Sequence, residues 1–262
     1  MSTCQYHGWR RQGWLLMTAL AFMTRLPVPA ATPLDRESLS ACQRWFPLIG
    51  VLIGLIAAVG YTLALQLWSQ PVAVVIAMVL MVLVTGALHE DGLADTLDGL
   101  GGGWSVEQRL TIMKDSRVGS YGVVGLGLIL LMRFGLLSST NYTVILLIIS
   151  QCLSRALATS LMGSMSYRRQ DPQDNSRIES LTGGQSNTDR WIILLTVLLM
   201  TGFCLPPGLA IATLLALGVL GWLMRFWLMK RLGGYTGDTL GAAQQFGELL
   251  VLAISTAWLG HG

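Results

Sequence analysis

Charged side chains are scarce in this sequence. Asp, Glu, Lys and Arg make up 12% of its 262 residues, whereas hydrophobic residues make up 53%. Soluble domains carry roughly 25% charged residues, so the composition excludes an ordinary soluble protein and predicts an all-α polytopic membrane protein surrounded by lipid. No polar block is long enough to fold by itself, which predicts a single membrane domain over residues 1–262.

Cysteine and net charge exclude two further kinds of protein. The chain has only four cysteines, and they are scattered without the spacing of metal ligands: Cys4, Cys42, Cys152 and Cys204. We therefore expect free thiols rather than a zinc site or a disulfide framework. The net charge of +3 is too small to predict binding to nucleic acid. The sequence leaves the oligomeric state open and is compatible with a homo-oligomer.

Apolar runs predict about seven transmembrane helices. A helix needs about 20 apolar residues to cross a bilayer, and seven runs approach this length: 45–67, 71–88, 120–137, 142–163, 191–205, 208–228 and 246–260. The run 13–24 is shorter and is flanked by Arg10, Arg11 and Arg25. It predicts a short N-terminal helix that is interfacial or re-entrant.

Lys and Arg predict the orientation in the membrane. Seven spans put the N-terminus and the connections 89–119, 164–190 and 229–245 on one side, and these segments hold 14 of the 17 Lys and Arg. The positive-inside rule makes this side cytoplasmic, with residues 1–12 as a flexible cytoplasmic N-terminus. The polar site loops lie on the same face. A transporter needs polar groups along its path, so this distribution favours an enzyme.

The stretch HEDGLADTLDGLGGG (89–103) concentrates acids without any Lys or Arg. On a helix, Asp91, Asp95 and Asp98 share one face because they stand at i, i+4 and i+7, and Glu90 lies about 100° away. Clustered carboxylates suit Mg²⁺ rather than zinc. We therefore predict a catalytic Mg²⁺ site built from these four acids, with a solvated helix end as the alternative.

The next polar run, RLTIMKDSRVGSYG (109–122), predicts a substrate site beside the acids. Its candidate binding residues are Lys114, Asp115, Arg117 and Ser120. A metal ion bridges pyrophosphate oxygens while Lys or Arg neutralises the remaining charge. Anchoring at the cytoplasmic side of the membrane is the alternative for the basic residues.

Three further polar residues are candidates for substrate binding. Asp238, in the Gly-rich stretch 233–248, could complete the metal site or cap the last helix. Arg155 lies inside the fourth span, where a buried arginine is a functional candidate that could reach a phosphate. His89 could act as a base, although a histidine beside carboxylates is more often a hydrogen-bond partner. Deeper in the third span, Arg133 is expected to form a structural ion pair.

The polar loop 166–190 is expected to be a linker, with a cover over the site as the alternative.

Taken in order, five motifs resemble one enzyme family. They are RLPVP (25–29), RWFPLIGVLIG (44–54), HEDGLADTLDGLGGG (89–103), KDSRVGSYGVVGLGL (114–128) and GGYTGDTLGAAQQFGE (233–248). They are similar to bacterial cobalamin synthase, also called adenosylcobinamide-GDP ribazoletransferase, and the resemblance runs from about residue 13 to residue 260.

The resemblance implies an enzyme of the bacterial inner membrane that completes cobalamin. The ribose hydroxyl of α-ribazole, or of α-ribazole 5′-phosphate, would attack the phosphorus nearer the corrinoid in adenosylcobinamide-GDP and release GMP. The alternatives are a CDP-alcohol-type phosphotransferase, a prenyltransferase, or a divalent-metal transporter.

Overall fold

Helices form nearly all the regular structure of residues 8–168 and 184–260, the parts of the chain that this computed structural model describes. These ranges contain eleven α-helices: α1 (Trp9–Met23), α2 (Arg36–Cys42), α3 (Phe46–Ala64), α4 (Gln70–Thr85), α5 (Leu88–Gly102), α6 (Val106–Met113), α7 (Ser120–Ser138), α8 (Thr143–Met162), α9 (Asn187–Cys204), α10 (Pro207–Arg231) and α11 (Gly237–Gly260). They hold no strand, only an isolated bridge between Tyr167 and Tyr235. The all-α prediction is confirmed.

Four helical segments are long and apolar enough to cross a membrane. They are Arg36–Ala64, which joins α2 to α3 through a 3₁₀ turn, and α7, α8 and α10. The helices α4 and α5 pass the same test only as a pair, which is bent by 87°. The described chain is thus that of a membrane protein with four candidate spans, or five if the bent pair is one span. The count of seven stays a prediction, and α5 and α11 lie outside the four segments that we treat as membrane-spanning.

A sharp break separates α4 from the acidic helix. Gly86 and Ala87 both adopt left-handed backbone conformations, with φ of 67° and 60°. A Cβ at Gly86 would overlap the side chain of Arg25, whose backbone N–H donates to the carbonyl of Val84 at 2.8 Å. The predicted helix through the acids is confirmed, but it begins anew at Leu88 instead of continuing the apolar run 71–88.

The core lies where α3, α5, α8 and α11 pack together. Gly50 and Gly54 let α3 approach the backbone of α8 at Gln151 and Ile148. Most of α8 is buried, whereas α7 and α10 expose large apolar side chains on their outer faces. This arrangement matches a membrane bundle, in which the outermost helices contact lipid and the central ones contact protein.

Connections between helices gather at the two ends of the bundle. At one end, the side-chain amide of Gln70 donates to the carbonyl of Thr140 at 2.7 Å. At the other end, Arg109 donates to the carbonyl of Gly103 at 3.0 Å and to that of Arg231 at 2.8 Å. The polar segments after α5 and α10 therefore lie together.

The N-terminal helix is longer than the sequence indicates. Because α1 begins at Trp9, the last part of the predicted flexible segment 1–12 is helical. Its placement at the interface stays a prediction. Residues 1–7, most of the loop 166–190, and residues 261–262 lie outside the described ranges.

Candidate active site

The acids of α5 differ strongly in exposure although they share one face. Asp91 is exposed, Asp95 is half-buried, and Asp98 is buried. Their face turns toward α7 at one end and α11 at the other. The residues that the sequence grouped as one ligand set therefore stand in three different environments.

Asp98 holds the start of α7. Its Oδ2 accepts a hydrogen bond from the backbone N–H of Gly119 at 2.7 Å, and its Oδ1 accepts one from Gly122 at 2.9 Å. Backbone N–H groups at a helix start carry partial positive charge and stabilise a carboxylate. A Cβ on either glycine would overlap the carboxylate. One predicted metal ligand thus caps a neighbouring helix.

Glu90 belongs to a buried ion-pair network around Arg133. Arg133 is only 2% exposed; its Nη1 lies 3.5 Å from Glu90 Oε1 and its Nη2 lies 3.0 Å from Glu248 Oε2. Gln245 donates to Glu90 Oε1 at 3.0 Å, and Gln244 donates to Glu248 Oε2 at 3.0 Å. The predicted structural role of Arg133 agrees with these contacts, and its partner is one of the predicted metal ligands.

Asp238 joins Asp91 and Asp95 where α11 crosses α5. A Cβ on Gly92 would lie 2.9 Å from the Cα and carbonyl oxygen of Asp238, so the two backbones touch there. Burial raises the pKa of Asp95 to about 7, with a contribution from the charges of Asp238 and Asp91. Burial also raises the pKa of Asp238 to about 6, again with a contribution from Asp91. These three carboxylates therefore repel one another.

Thr236, not Asp238, caps α11. Its Oγ1 accepts a hydrogen bond from the backbone N–H of Thr239 at 3.3 Å, and Thr239 Oγ1 accepts one from the N–H of Thr236 at 2.9 Å. Of the two roles that the sequence left open for Asp238, the capping role is thus filled by another residue.

The three converging carboxylates fit a hard divalent cation. Within the described ranges, the side-chain carboxylates of Asp91 and Asp95 have no hydrogen-bond or ion-pair partner, and the carboxylate of Asp238 accepts a long hydrogen bond from the Thr236 hydroxyl at 3.5 Å. No group of three or more His, Cys, Asp or Glu side chains in those ranges has the arrangement of a metal site. Mg²⁺ usually binds one or two carboxylates and completes its shell with water and substrate phosphates, so the oxygen donors suit it without a closed cage.

A cleft of about 650 Å³, which includes its open mouth, adjoins these acids. Asp91 and Asp238 line it together with His89 and Arg155. His89 is buried, and burial lowers its pKa, so the imidazole is neutral at pH 7. The rest of the lining is mainly apolar. Three residues predicted for substrate binding, namely Asp238, His89 and Arg155, thus meet in one cavity.

The basic run after α6 lies on the exposed surface. Arg117 is paired with Asp115 at 2.6 Å, and its side chain is 87% exposed. This pairing lowers the pKa of Asp115 to about 2. Lys114 and Ser120 are exposed as well. None of these four residues lines the cleft, although Gly119 places the run beside Asp98.

Two aromatic residues of the cleft were missed by reasoning from the sequence. Phe22 in α1 and Phe46 in α3 stack with ring centroids 5.5 Å apart, and both line the cavity. They are apolar residues in apolar helices, so composition gave no signal for them. Phe46 lies within 44–54, one of the motifs that resemble the family, but the motif by itself did not indicate a role for this residue.

Known proteins that are similar to this chain carry one consistent description. A family model described as cobalamin-5-phosphate synthase matches residues 15–256. A relative from Shewanella frigidimarina, named adenosylcobinamide-GDP ribazoletransferase, is 44% identical and covers 94% of this chain and 97% of its own length. A protein of the same name from Vibrio cholerae is 40% identical, with coverages of 96% and 97%. No solved structure matches the chain.

Proposed function

The chain belongs to the cobalamin-5-phosphate synthase family, and we propose that the cleft between α5 and α11 is its catalytic site. The protein is a transferase that joins adenosylcobinamide-GDP to ribazole in the final step of cobalamin synthesis. The observation that carries the site is the cluster of Asp91, Asp95 and Asp238, three carboxylates without a cationic partner in the described chain. Two of them, Asp91 and Asp238, line the largely apolar cavity.

The reaction is a phosphoryl substitution. The ribose hydroxyl of α-ribazole, or of its 5′-phosphate, forms a bond to the phosphorus nearer the corrinoid. The bond from that phosphorus to the bridging oxygen breaks, and GMP leaves with the electron pair. The product is a phosphodiester: adenosylcobalamin or its 5′-phosphate. In such transfers most of the catalysis comes from positioning and from stabilising charge.

We propose that one or two carboxylates of the cluster Asp91, Asp95 and Asp238 would hold Mg²⁺, with water and substrate phosphates completing its shell. When bound, the ion would neutralise the pyrophosphate oxygens and the charge that develops on the leaving GMP. Asp98 and Glu90, which the sequence also predicted as ligands, have structural partners here, and we propose that they act chiefly by holding α5 in place.

The chain's own residues would handle the proton and the remaining charge. A carboxylate of the cleft would accept the proton of the attacking hydroxyl, because a general base must lie within hydrogen-bond reach of it. Lys114 and Arg117 would bind phosphate oxygens of the substrate outside the mouth of the cleft. Arg117 would leave its ion pair with Asp115 to do so. The corrinoid is too large for the cavity and would lie across its opening.

The same proposal includes the placement in the membrane. We propose that α4, α9 and the part of α11 over residues 246–260 also cross the bilayer, that α5 is a re-entrant helix after the 87° bend, and that the site opens to the cytoplasm from the inner membrane. The support is the one-sided distribution of Lys and Arg.

Product analysis tests the function directly. Purified protein in detergent is mixed with adenosylcobinamide-GDP, α-ribazole and Mg²⁺, and mass spectrometry should detect adenosylcobalamin and GMP in equal amounts. Calorimetry then tests the metal: apparent affinity for adenosylcobinamide-GDP should rise with Mg²⁺. If the affinity for adenosylcobinamide-GDP is equal in EDTA and in saturating Mg²⁺, the metal assignment is wrong, although the transferase function would still stand.

A further inference from the structure

We propose that the apolar interior of the cleft binds the aromatic base of ribazole, and that Arg155 recognises the base by donating a hydrogen bond to its free ring nitrogen. The inference rests on the proposed function, since it names which part of which substrate occupies the cavity. It departs from the expectation that Arg155 binds a phosphate.

The lining of the cavity matches a flat apolar ring system. The stacked rings of Phe22 and Phe46 form one wall, and Met23, Leu88, Met162 and Leu240 contribute further apolar surface. The space of about 650 Å³ includes the open mouth, so its enclosed part suits a flat base and excludes a corrinoid macrocycle.

One hydrogen-bond donor in this lining has no partner. Arg155 is 1% exposed, and its Nη1 donates to the carbonyl and to the side-chain Oε1 of Gln151, at 3.0 and 2.6 Å. Its Nε is buried and has no partner within the described ranges. Buried donors are nearly always satisfied, and because the Arg155 side chain lines the cavity, a ligand bound there is the candidate for the missing acceptor.

Ribazole supplies an acceptor that suits a largely apolar lining. Its base carries a single ring nitrogen that is not bonded to the ribose, and the rest of the ring system is apolar. Guanine carries several donors and acceptors, which an apolar lining would leave unpaired at a large energetic penalty. A base held in the cleft also leaves its ribose near Asp91 and Asp238, which line the same cavity.

A substitution that narrows the cavity tests whether the base of ribazole occupies it. Ala158 lines the cleft, whereas Ala156, on the same helix, lines a separate groove against α9 and α10. Ala158→Phe should raise the KM for α-ribazole at least about tenfold, the scale on which a hydrophobic pocket senses added or missing atoms. The KM for adenosylcobinamide-GDP should stay within about twofold of wild type, since in this proposal the apolar interior around Ala158 contacts only the acceptor and the pyrophosphate lies at the acids. Ala156→Phe is the matched control and should leave both KM values unchanged.

A ribazole analogue with the free ring nitrogen replaced by C–H tests the hydrogen bond. Wild type should prefer α-ribazole over this analogue by about tenfold or more in kcat/KM. Arg155→Met removes every side-chain donor at this position, and this preference should vanish. The preference is the ratio of the kcat/KM values of one variant for the two acceptors. A general loss of stability lowers both values alike and leaves this ratio unchanged. Unphosphorylated α-ribazole is used so that no acceptor phosphate contributes.

The outcomes separate this inference from the proposed function. Absence of product from wild type would refute the function itself. If wild type is active, an unchanged α-ribazole KM in Ala158→Phe would overturn the occupancy of the cavity by the base. An undiminished preference in Arg155→Met would overturn the hydrogen bond to the base, and a weakened affinity for adenosylcobinamide-GDP in the same variant would return Arg155 to a phosphate role.

Discussion

Contacts, rather than residue type, divide the acids of this protein into two groups. Asp91, Asp95 and Asp238 have no cationic partner within the described chain, whereas Asp98 accepts backbone hydrogen bonds from α7 and Glu90 pairs with Arg133. The first group is available to a metal ion and substrate. The second is engaged in holding helices together, so substitutions in the two groups should have different effects.

The first prediction concerns the available carboxylates. Asp91→Asn, Asp95→Asn and Asp238→Asn should each lower GMP release by at least about 10²-fold, because each removes a charge that acts on the transition state. Folding should be preserved, since neutralising one of several like charges reduces their repulsion. Glu37→Gln is the control: it removes an exposed acid that pairs with Arg11 at the surface. Normal turnover in both Asp91→Asn and Asp95→Asn would contradict the assignment.

The second prediction concerns the buried network. Arg133→Met leaves Glu90 and Glu248 without their cation, and breaking a buried ion pair in this way costs about 3–5 kcal/mol. Thermal unfolding in detergent should show a large loss of stability. Neutralising both acids in the same chain, with Glu90→Gln and Glu248→Gln, should restore most of it. The surface control Arg117→Ala should not change the unfolding temperature, and an equally stable Arg133→Met would show that the network contributes little.

At the scale of elements, α5 is held on two sides by contacts that exclude larger residues. Asp98 caps α7 through Gly119 and Gly122, and Gly92 touches the backbone of α11 at Asp238. These contacts set the distance between the helices that carry the acids. Because the chain bends by 87° at the break around Gly86, the axis of α5 is independent of that of α4, and α5 can pack against both α7 and α11.

The third prediction tests the crossing of α5 and α11. In Gly92→Ala the new methyl group meets backbone atoms of Asp238 at 2.9 Å, and backbone cannot move aside as a side chain can. We expect about 1–3 kcal/mol of lost stability from overpacking and at least about tenfold lower turnover, because displaced carboxylates act poorly on the transition state. Gly127→Ala is the matched control in α7, where the methyl group would meet nothing within 4 Å. Equal activity of the two variants would contradict the close approach.

At the scale of the whole molecule, the apolar outer surface and the polar ends define how the bundle sits in a membrane. Large apolar side chains of α7 and α10 face outward, and the acids, the basic run and the cleft gather toward one end. A substrate as large as a corrinoid nucleotide can reach such a site from one aqueous side without crossing the bilayer.

The fourth prediction concerns topology. Reporter fusions at positions 139 and 262 should report the periplasm, and fusions at positions 105, 175 and 237 should report the cytoplasm. A reporter fused to the N-terminus, before α1, separates the two placements of that helix: it should report the cytoplasm if α1 is interfacial or re-entrant and the periplasm if α1 spans the membrane. A periplasmic reading at position 105 would contradict both the seven-span arrangement and the one-sided site.

Composition and local spacing were sufficient for much of this protein. The scarcity of charge predicts a membrane protein, the i, i+4, i+7 acids predict a helix that the structure has at Leu88–Gly102, and the ordered motifs predict the family. These properties depend on residues that are near one another in the chain, or on averages over it. They can therefore be read without knowing how the helices pack.

Only the tertiary structure decided which acids are available for chemistry. The stretch around Glu90 contains no cation, yet Arg133 from α7 neutralises Glu90. Asp98 has the spacing of a metal ligand, yet it caps the start of α7. Asp238 comes from the far end of the chain to complete the set. Each of these facts follows from contacts between helices distant in sequence, and such contacts depend on how side chains of the whole bundle fit together, which local spacing does not encode.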